Sequence, residues 1–542
     1  MISADVLVVG SGPVGLWVAF ELRRAGVDVL VVDSISARDS RNKASKALVT
    51  SASTLEIFHL RNVVDQFLNQ GIVQSATHFA GLDTLLKLNE NVLGTKYSHG
   101  LIIPQSRIEN ILLDLCETAG VRFEWGLEFC GIEQTPDEVV ATADRKAVVT
   151  DDQSSTVRIR ASWLVGCDGT HSKVRQASGI AFEGTPSLFT GMLADVRITQ
   201  PVPLGYKMSA SHSGGAMVVP LGDGIHHRVI GILKGSREKP PSEPLSMNEI
   251  LECLRDTFGS DIGAHSPIWL SRFGSACRTA QSFRDRRVFL AGDAAHQLFP
   301  AGGQGLNIGF QDATNLAWKL SWALKGDLKS LASYERVLTS YSDERRTVVL
   351  DTLSNIQAQA LLVSADSEPV YAMRKVFAEA IRESEQLNTL WARRISGFGE
   401  PSEPFTKTGN TSSNELIGTR LSHLILKDNP EIKAQAFHQL LSAILQHRFV
   451  LILRSENESQ GTPDTATKAK QALRKMVDSK WEKYTTVVEC ATQASHAKWV
   501  GILAVLIRPD SYIAWVGSTS QAEDELLGSL EMELKWWCGS HS

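Results

Sequence analysis

Cysteine is scarce and unpaired in this chain: seven among 542 residues, an odd number, with no two in CxxC spacing. That excludes dithiol chemistry and reads as reduced thiols in a soluble, cytoplasmic protein. There is no HExxH and no paired CxxC, so no metal site is expected. No run of 18 apolar residues occurs, which argues against stable membrane insertion. The first apolar segment begins almost at Met1 and leaves no room for a cleaved signal peptide. Basic runs are missing as well. With 55 basic against 60 acidic residues and a net charge of −5, nucleic-acid binding has no electrostatic support. Hydrophobic content of 43% and charged content of 21% are those of a soluble globular protein. The length exceeds what one core usually serves, so two or three domains are expected.

What is present is concentrated in two distant segments. Val288–Ala313 reads VFLAGDAAHQLFPAGGQGLNIGFQDA. An apolar run ends at Gly292-Asp293, a turn follows around Pro300, Gly302, Gly303 and Gly305, and a helical pattern starts at Leu306. This order delivers backbone N–H groups and the positive end of a helix dipole to one spot, beside a carboxylate able to accept hydroxyl hydrogen bonds. More than 250 residues upstream, the strand Asp5–Val9 leads into Gly10-Ser11-Gly12-Pro13-Val14-Gly15 and a helix. This is the GxGxxG fingerprint. Gly10 allows the tight turn, Gly12 admits a pyrophosphate, and Gly15 lets helix pack on strand. A second strand, Val27–Val32, ends at Asp33, where a ribose-binding acid belongs. No second GxGxxG offers a separate nicotinamide domain.

Residues 1–178 alternate strand and helix patterns, including a helix around Arg107–Thr118 with Ile108, Leu112 and Leu115 on one face and a strand-like stretch Val139–Ile159. Residues 179–275 carry strand-like runs at Gly191–Ile198, Ala216–Pro220 and Arg228–Leu233, broken by Gly and Pro, and predict an antiparallel sheet. Residues 276–399 resume the dinucleotide domain and pass into helices. Residues 400–415 are polar and rich in Pro, Ser, Thr and Gly, a linker composition. Residues 416–542 predict a separate α/β domain: a strand Phe449–Leu453, a polar loop Ser455–Thr467, a helix Lys468–Val477 and further strands.

Three motifs together resemble the class A flavoprotein monooxygenases, the aromatic hydroxylases related to p-hydroxybenzoate hydroxylase and phenol hydroxylase. They are Gly10–Gly15, the Asp-Gly motif at Asp168-Gly169 in Trp163–Arg175 (WLVGCDGTHSKVR), and Gly292-Asp293 continuing through Pro300 and Gly303–Asn307. Lesser matches are Gln105 in IIPQSR and Lys46 in Ser45-Lys46-Ala47, where the family more often has Arg; Lys offers a point charge rather than a bidentate fork. The resemblance covers about residues 1–395. Leu506–Trp515 (LIRPDSYIAW) is similar to the signature of the thioredoxin-like C-terminal domain of larger phenol and polyketide hydroxylases, with Ser511 where Gly is usual. The implied fold class is α/β: an interrupted Rossmann-like FAD-binding domain, an antiparallel-sheet substrate domain and a thioredoxin-like C-terminal domain without CxxC.

The resemblance implies FAD as cofactor, with NADPH or NADH as a transient co-substrate. Gly10, Gly12, Pro13, Val14 and Gly15 would cradle the pyrophosphate and Asp33 would bind the ribose. Lys46 and Gln105 would add further contacts, and Asp293 would face the ribityl or pyrophosphate region. Gly303, Gly305, Leu306 and Asn307 would place N–H groups at the flavin edge, with Pro300 and Gly303 in the catalytic loop. Asp168 has two readings, cofactor contact or helix cap. The implied reaction is hydroxylation of a phenolic or polyketide-like aromatic through a C4a-hydroperoxyflavin, in secondary metabolism or aromatic catabolism. Epoxidation or Baeyer–Villiger-type oxygen insertion is the alternative on the same scaffold; a non-oxygenase flavin-binding protein is a third. No general base is assigned: His212, His226 and His227 lie in the sheet region, and His296 matches a turn-supporting position. Expected partners are the small-molecule substrate and O2; the C-terminal domain has three readings, internal packing, a homodimer contact or an inert appendage.

Overall fold

The computed structural model describes residues 1–36, 46–145, 156–202, 207–211, 214–233, 238–326, 331–364, 367–399, 414–421, 430–455, 463–491 and 499–539. Most of the linker composition at 400–415 therefore lies outside the described residues, as does His212.

Ile2–Val9 is a central strand whose last four residues are fully apolar and buried, as expected for a parallel strand covered on both faces. Val29–Asp33 pairs with it on one side and Thr156–Gly166 on the other, both parallel. Arg122–Trp125 extends the first side. Val288–Leu290, contributed from more than 120 residues beyond, extends the second by pairing with Leu164–Gly166. The chain thus reverses direction across the sheet at Val9 and Gly166. In open α/β sheets a ligand crevice forms outside the carboxyl ends of the strands at such a point.

The segment between Gly166 and Val288 builds a five-stranded antiparallel sheet in the order 207–211, 214–220, 226–233, 190–198, 264–274. The three strand-like runs read from the sequence fall inside three of these strands. Helix Met247–Phe258 covers one face, packing Ile250, Cys253 and Leu254 against Met192, Ala194, Val218 and Val229. The other face turns to the parallel domain: Val219 and Leu221 pack with Leu48 and Ile102, while Ile232 and Phe273 join the main core.

After Val288 the chain forms helices Gln304–Leu324, Leu331–Ser364, Glu368–Glu383 and Glu385–Ile395. The first packs along helix Pro13–Arg24, with Trp17 Nε1 donating to Thr314 Oγ1 at 2.9 Å and Trp17 set edge-on to Phe310 and Phe58. The C-terminal region is α/β as expected. Phe449–Ser455 and Thr485–Ala491 run parallel, flanking helix Pro463–Met476 in sequence. Ile502–Ile507 and Ile513–Ser518 add an antiparallel hairpin on the other side, followed by helix Glu523–Cys538. The helix expected from Lys468 starts five residues earlier, because Pro463 is preorganised for a first helical position and Asp464 favours the first turn. One side of this sheet shares a hydrophobic cluster with Trp318, Trp322 and Val337 of the preceding helices. Among the described residues no helix is long and apolar enough to cross a membrane.

Ser511 adopts φ +72°, a left-handed conformation, and its hydroxyl is buried with no partner among the described residues. Both features disfavour Ser there. Ser511→Gly is expected to stabilise the protein by about 1 kcal/mol, read as a raised Tm in thermal unfolding.

Candidate functional site

The three sequence motifs meet through glycines that leave no space for a side chain. A Cβ on Gly10, which has φ +102°, would lie 2.5 Å from the Cys167 carbonyl oxygen. One on Gly15 would lie 2.0 Å from the Gly10 carbonyl. The first turn is therefore pressed against the segment carrying Asp168, and Cys167 N donates to Val9 O at 2.8 Å. Val14 fills the gap to the third motif: a Cβ on Gly292 would come within 2.9 Å of its Cγ2, and one on Gly309 within 2.5 Å. Gly10, Asp168 and Gly292 are thus neighbours at the carboxyl end of the sheet, although 158 and 282 positions separate the second and third from the first.

Two other glycines are open. A Cβ on Gly12 or Gly305 would meet nothing within 4 Å. Gly12 is the N-cap of helix Pro13–Arg24, and Gly305 lies in the first turn of helix Gln304–Leu324, whose N-cap is Gly303. Neither helix has a side-chain cap, so two positive dipole ends are presented at the same mouth. The loop before the second helix is set by left-handed Gly302 and Gly303, with exposed Pro300 ahead of them. Leu306 is half-buried against the main core.

The carboxylates differ in their engagement. Asp33 ends its strand and accepts from Ser11 N at 2.7 Å, Ser11 Oγ at 2.6 Å and Ile35 N at 3.0 Å. Ser172 is the N-cap of helix Lys173–Ala177, and Asp168 supports the same helix start by accepting from Val174 N at 3.1 Å, while its buried Oδ1 has no partner among the described residues. One oxygen of Asp168 thus supports the start of the helix, and the other is unengaged among the described residues. Burial raises its pKa, opposed by the Ser172 hydroxyl and nearby N–H groups. Asp293 reaches solvent but stands in a cleft of protein atoms that raises its pKa, with His296, Lys46 and the Thr170 hydroxyl pulling it back. Lys46, itself exposed, is thus close enough to supply positive charge beside Asp293.

Two expected contact residues have their side chains occupied within the protein. Asn307 Oδ1 accepts from Ser51 N and Thr54 Oγ1, both at 2.8 Å, and Nδ2 donates to Val49 O and Gly303 O. Its side chain clamps helix Gln304–Leu324 to segment 49–54. Gln105 Oε1 accepts from Ala47 N at 3.1 Å and Nε2 donates to Glu109. Its visible role is to hold the Lys46–Leu48 segment in place.

Behind the Gly-Asp turn lies a buried charge cluster. Asp312 accepts from Gly292 N at 3.2 Å, and is bonded to His296 Nε2 and Arg345 Nε, each at 2.7 Å. Burial alone would raise the Asp312 pKa, but Arg345 and His296 outweigh it and hold it below the usual value. His296 supports the turn, as its position in GDAAH implied. Arg175 ties the second motif to the third by donating from Nη1 to Ala294 O at 2.8 Å. Sequence reasoning missed Asp312 and Arg345. The available signal was Gly309, a glycine inside a helix, which usually has a packing reason.

Across the mouth, the face of the antiparallel sheet turned to the parallel domain carries apolar side chains, among them Met217, Ile230 and Phe273. Phe273 and Phe189 both approach Phe299, next to Pro300, with ring centroids 6.0 and 5.4 Å apart. Farther along this face, Arg228 makes a bidentate pair with Asp195 at 2.8 Å and donates to Lys46 O at 2.9 Å, joining the sheet to the cofactor side. His227 alternates onto the helix-covered face with Val229, and His226 pairs with Asp223 at 2.7 Å. Pro220 falls on the helix-covered face too, unlike Met217. Among the described residues, no group of His, Cys, Asp or Glu is arranged to hold a metal ion.

Comparison with known proteins shows the family of the chain. The FAD binding domain family model matches residues 3–355, and the aromatic-ring hydroxylase C-terminal model matches residues 414–540. A rifampicin monooxygenase of Streptomyces venezuelae is 33% identical over 523 residues, covering 95% of this chain and 96% of its own length. The solved structure of the OxyS anhydrotetracycline hydroxylase from Streptomyces rimosus superposes with a TM-score of 0.80 at 28% identity, covering 100% of both chains. A dialkyldecalin synthase of Streptomyces rugosporus is 30% identical over 421 residues, 77% of this chain and 85% of its own.

Two substitutions test the mouth. Gly12→Ala points a methyl into open space, so the flavin-free protein should keep its Tm. FAD affinity should fall about tenfold or more, ~1.4 kcal/mol, by fluorescence titration. For Asp293, a raised folded-state pKa means that the folded form binds a proton that the unfolded form has lost. Stability falls as pH rises from the unfolded value through the folded one. Asp293→Asn should therefore raise the Tm of the flavin-free protein at neutral pH while weakening FAD binding.

Proposed function

The chain belongs to the FAD-dependent aromatic-ring hydroxylase family, a family of monooxygenases, and from that premise we propose that it oxygenates a phenolic or polyketide-like aromatic small molecule. The observation that carries this reading is the pairing of two uncapped helix N-termini at one mouth with an apolar sheet face opposite. The residues fit the cofactor. Gly12 and Gly305 leave open space where phosphate and ring edge would approach, and the spare Asp168 oxygen and Asp293 offer acceptors. Bound FAD would supply the redox chemistry, taking electrons from NADPH or NADH and reducing dioxygen.

The protein's own residues do the rest. Gly10–Gly15 would receive the pyrophosphate on backbone N–H groups, and Asp33 would share its carboxylate with the ribose hydroxyls. The N-terminus of helix Gln304–Leu324 would stabilise negative charge at the ring edge by about 0.3–2 kcal/mol. Phe189, Phe273 and Phe299 exclude water from one side of the mouth, which protects reactive oxygen species from wasteful loss. With Met217 and Ile230 on the sheet, they favour a planar, apolar substrate held by burial. The cytoplasm, with its supply of reduced nicotinamide nucleotides, suits this reaction.

A second reading rests on the dialkyldecalin synthase relative, whose name describes ring formation. One experiment separates the two. NADPH or NADH oxidation by the FAD-loaded protein should accelerate with members of a panel of phenols, naphthols and anthraquinones, and isotopically labelled dioxygen should appear in the product. A flat rate across the panel contradicts the substrate class. Substrate isomerised without gain of oxygen supports the second reading.

A further inference from the structure

We propose that the loop Arg508–Asp510 of the C-terminal domain sets the spacing of the two cofactor helices, so that Arg508 and Asp510 are positioning residues for the flavin site. The inference rests on the reading that these helices address FAD. Helix Gln304–Leu324 is about 30 Å long, and its second half leaves the mouth for the C-terminal domain. There Asn315 Nδ2 donates to Glu344 Oε2 and Asp510 Oδ2, both at 2.7 Å, and Lys319 Nζ donates to Glu344 at 3.0 Å. Arg508 forks onto Glu344 at 2.9 and 2.8 Å and onto Asp510 at 2.9 and 2.5 Å. The other cofactor helix, Pro13–Arg24, presents Glu21 to Arg61 at 2.8 Å, and Arg61 Nη2 donates to Pro509 O at 3.4 Å. Three consecutive residues thus touch the hydrogen-bonded supports of both helices.

All of these groups are buried, from 0% exposed at Lys319 to 5% at Glu344. Lys319 and Arg508 balance Glu344 and Asp510 in formal charge. The Arg508 guanidinium lies 4.8 Å from the Trp537 ring centroid and 5.7 Å from that of Trp318. Apolar residues would dock the domain at least as firmly, because burying charges costs about as much as their attraction returns. What the bonded charges add is direction. Each fork is satisfied in one arrangement only, and a cofactor site tolerates displacements of only about 0.5 Å. The family signature LIRPDSYIAW is therefore a joint facing the chain's own cofactor domain, and any homodimer contact of the C-terminal domain uses another face.

The test uses full-length, FAD-loaded protein, with FAD affinity and flavin midpoint potential as readouts beside Tm. Asp510→Asn removes one charge from the joint. Asn315→Ala removes its two hydrogen bonds without leaving a charge unpaired, and decides the matter should Asp510→Asn not fold. Arg336→Ala is the control: Arg336 donates to Trp536 O across the same domain seam but touches neither cofactor helix. Asn315→Ala and Asp510→Asn should weaken FAD binding and lower the potential by about 30 mV, a tenfold change in the reduced-to-oxidised ratio, because the helix end that stabilises reduced flavin retreats. Arg336→Ala should lower Tm alone. Wild-type potential and FAD affinity in both joint variants, or an equal shift in Arg336→Ala, overturns the inference. A wild type that takes up no FAD overturns the functional reading with it.

Discussion

Val14 stands between Gly292 and Gly309, and Gly10 lies against the carbonyl of Cys167, at distances that admit hydrogen alone. This contact brings the first turn, the Asp168 segment and the Gly-Asp turn to one point, and the mouth exists because of it. A methyl on Gly10, Gly15 or Gly309 would push against backbone or a β-branched side chain that cannot swing away. The glycines that pack tightly build the scaffold. Gly12 and Gly305, at the starts of the two helices, have open space beside them.

Such a junction must be held from behind. Asp312, His296 and Arg345 form a fully buried cluster beneath the Gly-Asp turn, and removing one partner from a buried pair typically costs about 3–5 kcal/mol. Asn307 secures helix Gln304–Leu324 by engaging both polar atoms of its side chain within the protein. The carboxylates at the mouth are treated differently. Asp168 and Asp293 sit where burial works against their charge, a burden that a polyhydroxylated cofactor would relieve by hydrogen bonding. Rigidity lies behind the site, and at its face one buried carboxylate oxygen, Asp168 Oδ1, has no partner among the described residues.

Much of this was legible in the sequence because it is local. Gly10–Gly15 with its strand, helix and Asp33 is a contiguous pattern, as is the order of turn and helix in Val288–Ala313. Three of the strands at 190–233 announced themselves as strand-like runs broken by Gly and Pro. What could not be read depends on pairing across distance. Arg345 lies 33 residues from Asp312, Arg228 reaches Lys46 from 182 positions away, and Arg508 reaches Glu344 from 164. No periodicity connects such residues. Side-chain assignments were equally out of reach: the fold uses the amides of Asn307 and Gln105 to hold its own backbone. The sheet histidines were candidates only by proximity in sequence, and strand alternation turns His227 away from the mouth.

The central claim is that segments 10–15, 168–175 and 292–307 form a single FAD site. A crystal structure of the protein soaked or purified with FAD tests it most directly. The account predicts the pyrophosphate over the N–H groups of Gly12–Gly15, the ribose on Asp33, and the pyrimidine edge of the ring at the N-terminus of helix Gln304–Leu324, facing Phe299 and the apolar side of the sheet. A ring density placed away from Gly303–Asn307, or a cofactor bound away from the carboxyl ends of strands 2–9 and 156–166, would contradict it.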